Sequence, residues 1–152
     1  MTKQAVAHTW LKLDADNHTD QVVSLAVCPD GRTVVSAGEC TVRVWDAATR
    51  KPIRQMLGHT DPRIDGEFDE GTIACMALSP DGRWVVTSKL SQRIEVFDVE
   101  TGNLVAAFKH PDALRSLAFS PDGRWLALAV RSRLGVAPCR ARVQLLSTRA
   151  LI

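Results

Sequence analysis

Short apolar runs separated by turn residues cover most of this chain. Three of the separators are copies of Pro-Asp-Gly-Arg, at 29–32, 80–83 and 121–124. Proline presets its own φ angle and glycine accepts a positive φ, so each copy has the chemistry of a tight turn. Apolar and β-branched residues precede and follow each copy, and the pattern therefore predicts three β-hairpins.

The residues around these turns repeat as well. Aligned segments of 17 residues begin at Val22, Ile73 and Leu114. Their first strands carry apolar or small residues on both faces, apart from Arg115. A strand of that kind is expected between two other layers of structure.

Further strands follow each hairpin, and no helical pattern of useful length occurs. Third strands are predicted at 41–46, 93–98 and 141–147, and fourth strands at 52–57 and 103–108. The segment 9–13 has the pattern of one more fourth strand. Twelve short strands in units of four are typical of β-propeller blades. The predicted fold class is all-β, with a single propeller array over 1–152 divided into repeats at 8–51, 52–102 and 103–147.

Two dipeptide patterns narrow the type of blade. Trp45-Asp46 ends one third strand, Phe97-Asp98 stands at the matching place, and Gly58-His59 follows a fourth strand. With these pairs the chain resembles the WD40 repeat family over roughly residues 8–147. That resemblance implies a buried hydrogen-bond network of a histidine, a hydroxyl, an acid and a tryptophan in each repeat.

Only part of that implied network is present, and its histidines are interpreted as structural groups rather than as ligands or bases. The first repeat offers His18, Ser36, Glu39 in place of aspartate, and Trp45. The second offers His59, with Thr87 or Ser88 as the hydroxyl, Ser91 where the acid belongs, and Phe97 for tryptophan. The third keeps only His110.

Two enlarged loops carry charge of opposite sign. The loop 60–72 contains five acidic residues, Asp61, Asp65, Glu67, Asp69 and Glu70, and the loop 131–142 contains four basic ones, Arg131, Arg133, Arg140 and Arg142. By the topology of the WD40 family both loops lie on one face of adjacent blades, which makes that face the candidate partner surface. The alternatives are plain solvation, pairing of the two loops with each other, and a calcium loop, which Arg63 and Thr72 disfavour at the third and twelfth positions.

Composition excludes several other classes of function. A net charge of +2 is too small to indicate a nucleic-acid or membrane partner. None of the four cysteines forms a Cys-x-x-Cys pair, and no catalytic motif is present, so neither a metal, a cofactor nor an enzyme is expected. The first twenty residues lack a signal-peptide stretch, and a cytoplasmic location is expected.

These observations predict a protein-interaction scaffold without catalytic activity. The alternative is a fragment or accessory part of a larger propeller protein. Propellers have about four to eight blades, whereas three are encoded here. The segment 9–13 would suit the third blade as its fourth strand, and an exchange of this segment between two chains would close a six-bladed homodimeric ring.

Overall fold

The computed structural model describes His18 and residues 21–38, 41–57, 72–130 and 142–151. These residues form eleven β-strands and one short 3-10 helix. The first blade contains β1 Val22–Val27, β2 Thr33–Gly38, β3 Thr41–Asp46 and β4 Pro52–Leu57. The second contains β5 Ile73–Leu78, β6 Trp84–Lys89, β7 Arg93–Asp98 and β8 Leu104–Lys109. The third contains β9 Leu114–Phe119, β10 Trp125–Val130 and β11 Arg142–Ser147, followed by the helix Thr148–Ala150.

Each blade is an antiparallel meander in chain order. The sheets run β1-β2-β3-β4, β5-β6-β7-β8 and β9-β10-β11. The predicted all-β class is confirmed, and so are the three predicted hairpins. β8 lies one residue later than expected, and the predicted strand 9–13 lies outside the described residues.

The Pro-Asp-Gly turns are held by their aspartates. The Asp30 carboxylate accepts hydrogen bonds from the backbone N–H of Arg32 and Thr33, both at 2.8 Å. Asp81 and Asp122 accept the corresponding N–H two residues on. The glycine that follows each aspartate has a φ between 67° and 73°, a region that a residue with a side chain enters only at a cost in strain. The repeated motif is therefore required by turn geometry.

Two apolar clusters hold the three blades together. The first joins blades one and two through Val42 and Val44 on one side and Met76 and Phe97 on the other. The second joins blades two and three in the same way, and the buried Leu151 belongs to it. Each core is thus an interface between neighbouring sheets.

The expectation that every first strand is buried on both faces is correct only for the middle blade. β5 is buried or half-buried along its whole length. β1 exposes Leu25 and Val27, because the described residues place no blade against its outer side. β9 is buried on the side of blade two and exposed on the other. Burial here depends on neighbours that the local pattern does not encode.

The hairpin turns of all three blades lie on one side of the array. One cleft between blades one and two is lined by Pro29, Asp30, Asp81 and Gly82. A second cleft between blades two and three is lined by Asp81 and by residues 121–123. We call this side the turn face, and the side with the other strand ends the opposite face.

Candidate interaction surfaces

A hydrogen-bond network in the first blade joins three of the side chains expected there. The indole Nε1–H of Trp45 donates to Ser36 Oγ at 2.7 Å, and Ser36 Oγ lies 2.8 Å from His18 Nε2. His18 Nδ1 lies 2.9 Å from Thr41 Oγ1. A neutral His18 with its proton on Nδ1 satisfies the set, since Ser36 then donates to Nε2 and Thr41 accepts from Nδ1. The expected fourth member, Glu39, lies outside the described residues.

The second blade has no such network among its described residues. Thr87 stands at the position of Ser36, and its buried Oγ1 has no hydrogen-bond partner in the described part of the chain. Phe97, at the position of Trp45, offers no donor. His59 lies outside the described residues. Among the described residues, the position of the Ser36–Trp45 hydrogen bond in blade one therefore carries no hydrogen bond in blade two.

Blade two instead contains a buried cluster of three charged side chains. The Glu95 carboxylate Oε1 lies 3.1 Å from Arg93 Nε and 3.4 Å from Lys89 Nζ, and all three side chains are buried. Burying charges costs several kcal/mol per ion, and the cost is offset only by close pairing. The cluster therefore fixes the hairpin between β6 and β7 at the opposite face.

The histidine before the third blade, His110, has different hydrogen-bond partners from those of His18 in the first blade. His110 Nε2 lies 2.8 Å from Gln144 Oε1, and His110 Nδ1 lies 2.8 Å from the backbone carbonyl of Asp112. Gln144 occupies the β11 position that corresponds to Glu95 in β7. His110 thus connects the end of blade two to the third strand of blade three, which is a structural role.

The candidate partner surface on the two charged loops falls mostly outside the described residues. This holds for Asp61, Asp65, Glu67, Asp69, Glu70, Arg131, Arg133 and Arg140. Arg142 is described; it begins β11 and is exposed. The strand ends that flank both loops, at residues 57 and 73 and at 130 and 142, lie on the opposite face. The loops themselves remain a prediction.

The turn face carries ionised aspartates and a stacked arginine. Hydrogen bonds from the Thr33 hydroxyl and backbone lower the pKa of Asp30, and the Ser79 hydroxyl does the same for the pKa of Asp81. The Arg83 guanidinium lies 4.5 Å from the centroid of the Trp84 ring. Trp84 also lines the cleft of about 400 Å³ between blades two and three, so it contributes to a surface as well as to packing.

Two apolar faces stand without a packed blade among the described residues. Val22, Leu25 and Val27 of β1 form the first, which we call the leading face. Val143 and Leu145 of β11, beside Ala118 and Ala129, form the second, which we call the trailing face. Exposed apolar patches of this kind mark sites of association.

The described part of the chain was compared with the requirements of a metal site and of a membrane-spanning helix, and it meets neither. No group of three or more His, Cys, Asp or Glu side chains there could hold a metal ion. No helix among these residues is long and apolar enough to cross a membrane.

The blade geometry agrees with a family comparison. The family model described as "WD domain, G-beta repeat" matches residues 11–46, 50–98 and 102–132. This chain belongs to the WD40 repeat family. WD40 domains generally mediate protein interactions and are typically non-catalytic.

Several characterised WD40 proteins are similar to this chain. The U3 small nucleolar RNA-associated protein 21 homolog of Schizosaccharomyces pombe is 30% identical over 103 residues, which cover 68% of this chain and 10% of that protein. Subunit LST8 of the target of rapamycin complex from Saccharomyces cerevisiae is 30% identical over 94 residues, or 61% of this chain and 28% of its own. The angio-associated migratory cell protein of Canis lupus familiaris is 30% identical over 91 residues, or 59% and 19%. This chain therefore spans less than a third of each of these relatives.

Two structural features escaped the sequence analysis. Nothing in the sequence pattern marks Lys89, Arg93 and Glu95 as buried, because charged residues on a strand are ordinarily solvated. The bond between His110 and Gln144 joins residues 34 positions apart. The sequence does contain a signal for Gln144, because it is a polar residue at the third-strand position that Glu95 occupies in blade two. The signal can be recognised only after the strands of the two blades have been aligned in register.

Proposed function

We propose that this WD40 chain is a protein-binding scaffold without catalytic activity, and that its partner surface is the opposite face. The observation that carries the proposal is the placement of the strand ends that flank the acidic and the basic loops. Both loops are anchored on paired strands at one side of a rigid array. Loops on a rigid scaffold are where binding residues concentrate.

The loop 60–72 is acidic and the loop 131–142 is basic, so we expect a partner whose surface carries both positive and negative charges. Exposed ion pairs add about 0–1 kcal/mol each, so they select a partner and orient it more than they hold it. Such contacts are screened at high salt. We therefore expect binding that weakens as the salt concentration rises.

A pull-down from cell extract tests the partner surface. The first variant replaces Asp65, Glu67, Asp69 and Glu70 with Asn or Gln, and the second replaces Arg131, Arg133, Arg140 and Arg142 with Gln. The matched control is Glu100→Gln, an exposed charge on the turn face. Partners lost with the loop variants and kept with the control would support the proposal. An unchanged set of partners would move the binding surface elsewhere.

A cytoplasmic location belongs to the same proposal. Cys28 and Cys75 are free buried thiols. Free thiols persist in reducing compartments, whereas secreted proteins tend to convert cysteines to disulfides. Fluorescence microscopy of the tagged chain would test it, and a signal confined to the secretory pathway would contradict it.

We further propose that two chains associate into a closed ring of six blades. The third sheet has three strands among the described residues, so β11 has no described neighbour on its outer edge. In the other two blades a fourth strand, β4 or β8, pairs at this position. The segment 9–13 of a second chain would supply the missing strand. Removal of residues 1–17 is then expected to abolish association, and an unchanged dimer would contradict this route.

The competing possibility is a part of a larger propeller protein. It is favoured by the short fraction of each relative that the chain spans, from 10% to 28%. Sequencing the transcript beyond both ends of the reading frame decides between the two. An in-frame continuation with further WD40 repeats would favour the larger protein.

A further inference from the structure

The fourth strands of blades one and two, β4 and β8, each form the outer edge of their sheet among the described residues. The first strands of successive blades lie against one another, since β5 contacts both β1 and β9. The fourth strands therefore lie at the rim of the array. An edge strand offers backbone groups to which another strand can bind, and proteins usually protect it with proline or charged residues.

The edge at β4 is protected in this way, whereas the edge at β8 is not. β4 begins with Pro52 and carries Arg54 and Gln55 at its third and fourth positions. The equivalent positions of β8 hold apolar residues, namely Leu104, Ala106 and Ala107. The single charge in β8 is at its last residue, Lys109. β8 is therefore the less protected of two equivalent edges.

The side chains along the β8 edge are apolar, and those in its middle are small. Val105 is 42% exposed, and Ala106 and Ala107 are half-buried. The Cβ atoms of directly opposed residues on neighbouring strands lie about 4.5–5.5 Å apart, so the two alanines leave room for large side chains on an added strand. Charged side chains would lose hydration at this surface without gaining a partner. The edge therefore fits a strand with large apolar residues.

The backbone of β8 directs hydrogen-bonding groups outward at alternate residues. At one end of the ladder between β7 and β8, the His110 N–H donates to the Gln92 carbonyl at 2.9 Å. Hydrogen-bonded pairs alternate with open pairs along an antiparallel ladder. Counting back from His110, Phe108 belongs to a hydrogen-bonded pair and Ala107 to an open pair. The N–H and C=O of Ala107 therefore point away from β7, in the middle of the edge.

We infer that β8 binds an extended apolar segment of a partner protein, which adds to blade two as a fifth strand. Such a segment matches the six residues of β8 and carries residues such as Val, Ile or Phe beside Ala106 and Ala107. In strand addition the backbone hydrogen bonds give affinity, and alternate side chains give specificity. The inference goes beyond the proposed function, because this edge requires neither the charged loops nor a second copy of the chain.

Selection from a phage library of random peptides tests the inference. The bait is the full wild-type chain, and the library is first depleted on Ala106→Arg with Ala107→Gln, which gives β8 the residues of β4. Blade one already carries these residues, so we expect the fold to tolerate them. We expect the enriched peptides to share a stretch of alternate large apolar residues. A synthetic, fluorescein-labelled copy of one enriched peptide is then titrated with the chain in fluorescence anisotropy.

Two matched proline substitutions separate strand addition from other contacts. Ala107→Pro removes an outward N–H from β8 and keeps the ladder with β7, and Gln55→Pro makes the same change at the equivalent position of β4. We expect Ala107→Pro to weaken peptide binding at least about tenfold, the effect of one lost hydrogen bond. Gln55→Pro is expected to bind the peptide as the wild type does.

N-methylation of the peptide gives a second readout that uses only the wild-type chain. Methyl groups at one alternate set of peptide residues remove the N–H groups that face β8, whereas those at the other set face away from it. We expect the first set to abolish binding and the second to preserve it. This asymmetry keeps the inference testable if a proline variant fails to fold.

Four results would overturn the inference. The first is a selection in which no peptide is enriched on the wild type. The second is an enriched peptide that binds Ala107→Pro, shown to be folded by circular dichroism, as tightly as the wild type. The third is an equal effect of N-methylation at both alternate sets, which would indicate docking through side chains alone. The fourth is a wild-type dimer that Ala107→Pro dissociates and Gln55→Pro does not, which would identify the occupant of the edge as a second copy of the chain.

Discussion

Removing the Ser36 hydroxyl tests whether the first-blade network stabilises the fold. Ser36 Oγ accepts from the Trp45 indole at 2.7 Å and lies 2.8 Å from His18 Nε2. Ser36→Ala leaves the buried indole N–H without an acceptor, which costs about 1–3 kcal/mol. We expect a loss of about 2 kcal/mol in the free energy of unfolding, or a decrease of about 6 °C in Tm at this chain length.

A double-mutant cycle separates the hydrogen bond from other effects. Trp45→Phe installs the residue that blade two carries as Phe97, and it removes the indole donor. In that background Ser36→Ala no longer strands a donor, so its cost is expected to decrease by about 1–2 kcal/mol. The assay is urea unfolding followed by far-UV circular dichroism, with each free energy extrapolated to water.

The matched control is Thr87→Val in blade two. Thr87 stands where Ser36 does, but its buried Oγ1 has no described hydrogen-bond partner. Replacing a buried hydroxyl that has no partner among the described residues by a methyl group is expected to leave stability unchanged or raise it by up to about 1 kcal/mol. Additive free energies for Ser36→Ala and Trp45→Phe, or equal losses for Ser36→Ala and Thr87→Val, would refute the reasoning.

Three further predictions concern the buried charges, the thiols and the turns. Glu95→Gln leaves Lys89 and Arg93 buried without their shared carboxylate and is expected to cost about 3 kcal/mol in urea unfolding; a loss below about 1 kcal/mol would contradict the pairing. Burial raises the pKa of the Cys75 thiol to about 11, so about one thiol in a thousand is ionised at pH 8. Mass-spectrometric mapping should therefore find Cys75 alkylated by iodoacetamide only after unfolding. Rapid alkylation of Cys75 in the folded protein would contradict the burial of its thiol. The folded state lowers the pKa values of Asp30, Asp81 and Asp98. These carboxylates therefore stabilise the fold at a pH above the ordinary carboxyl pKa near 4, and this stabilisation is lost as the pH falls through their pKa values in the folded state. The urea midpoint should fall between about pH 5 and pH 2, and a flat profile would contradict it.

The blades could be predicted from the sequence because their signals are local. A Pro-Asp-Gly turn needs only the aspartate that caps it and the glycine that accepts a positive φ, as at Asp30 and Gly31. Pairing of the flanking strands follows from the turn. The assignment of β8 was displaced by one residue, since Asn103 and Lys109 are both polar residues at the ends of an apolar run.

Burial and charge pairing could not be predicted, because both depend on what packs against a strand. Leu25 and Met76 occupy the same place in the repeat, yet one is exposed and the other buried. Glu95 looks like a solvated strand residue until blade one covers it. Ser36 and Trp45, which align with the family network, share a hydrogen bond, whereas the role of Gln144 required the register of β11.

The mass of the wild-type chain in solution tests most directly the proposal that two of these WD40 chains associate into a closed ring of six blades. Size-exclusion chromatography with multi-angle light scattering is run from low to high micromolar concentration. We expect the mass to rise to twice the 16.6 kDa of one chain and to stop there. A stable 16.6 kDa monomer that unfolds cooperatively throughout this range would contradict the claim.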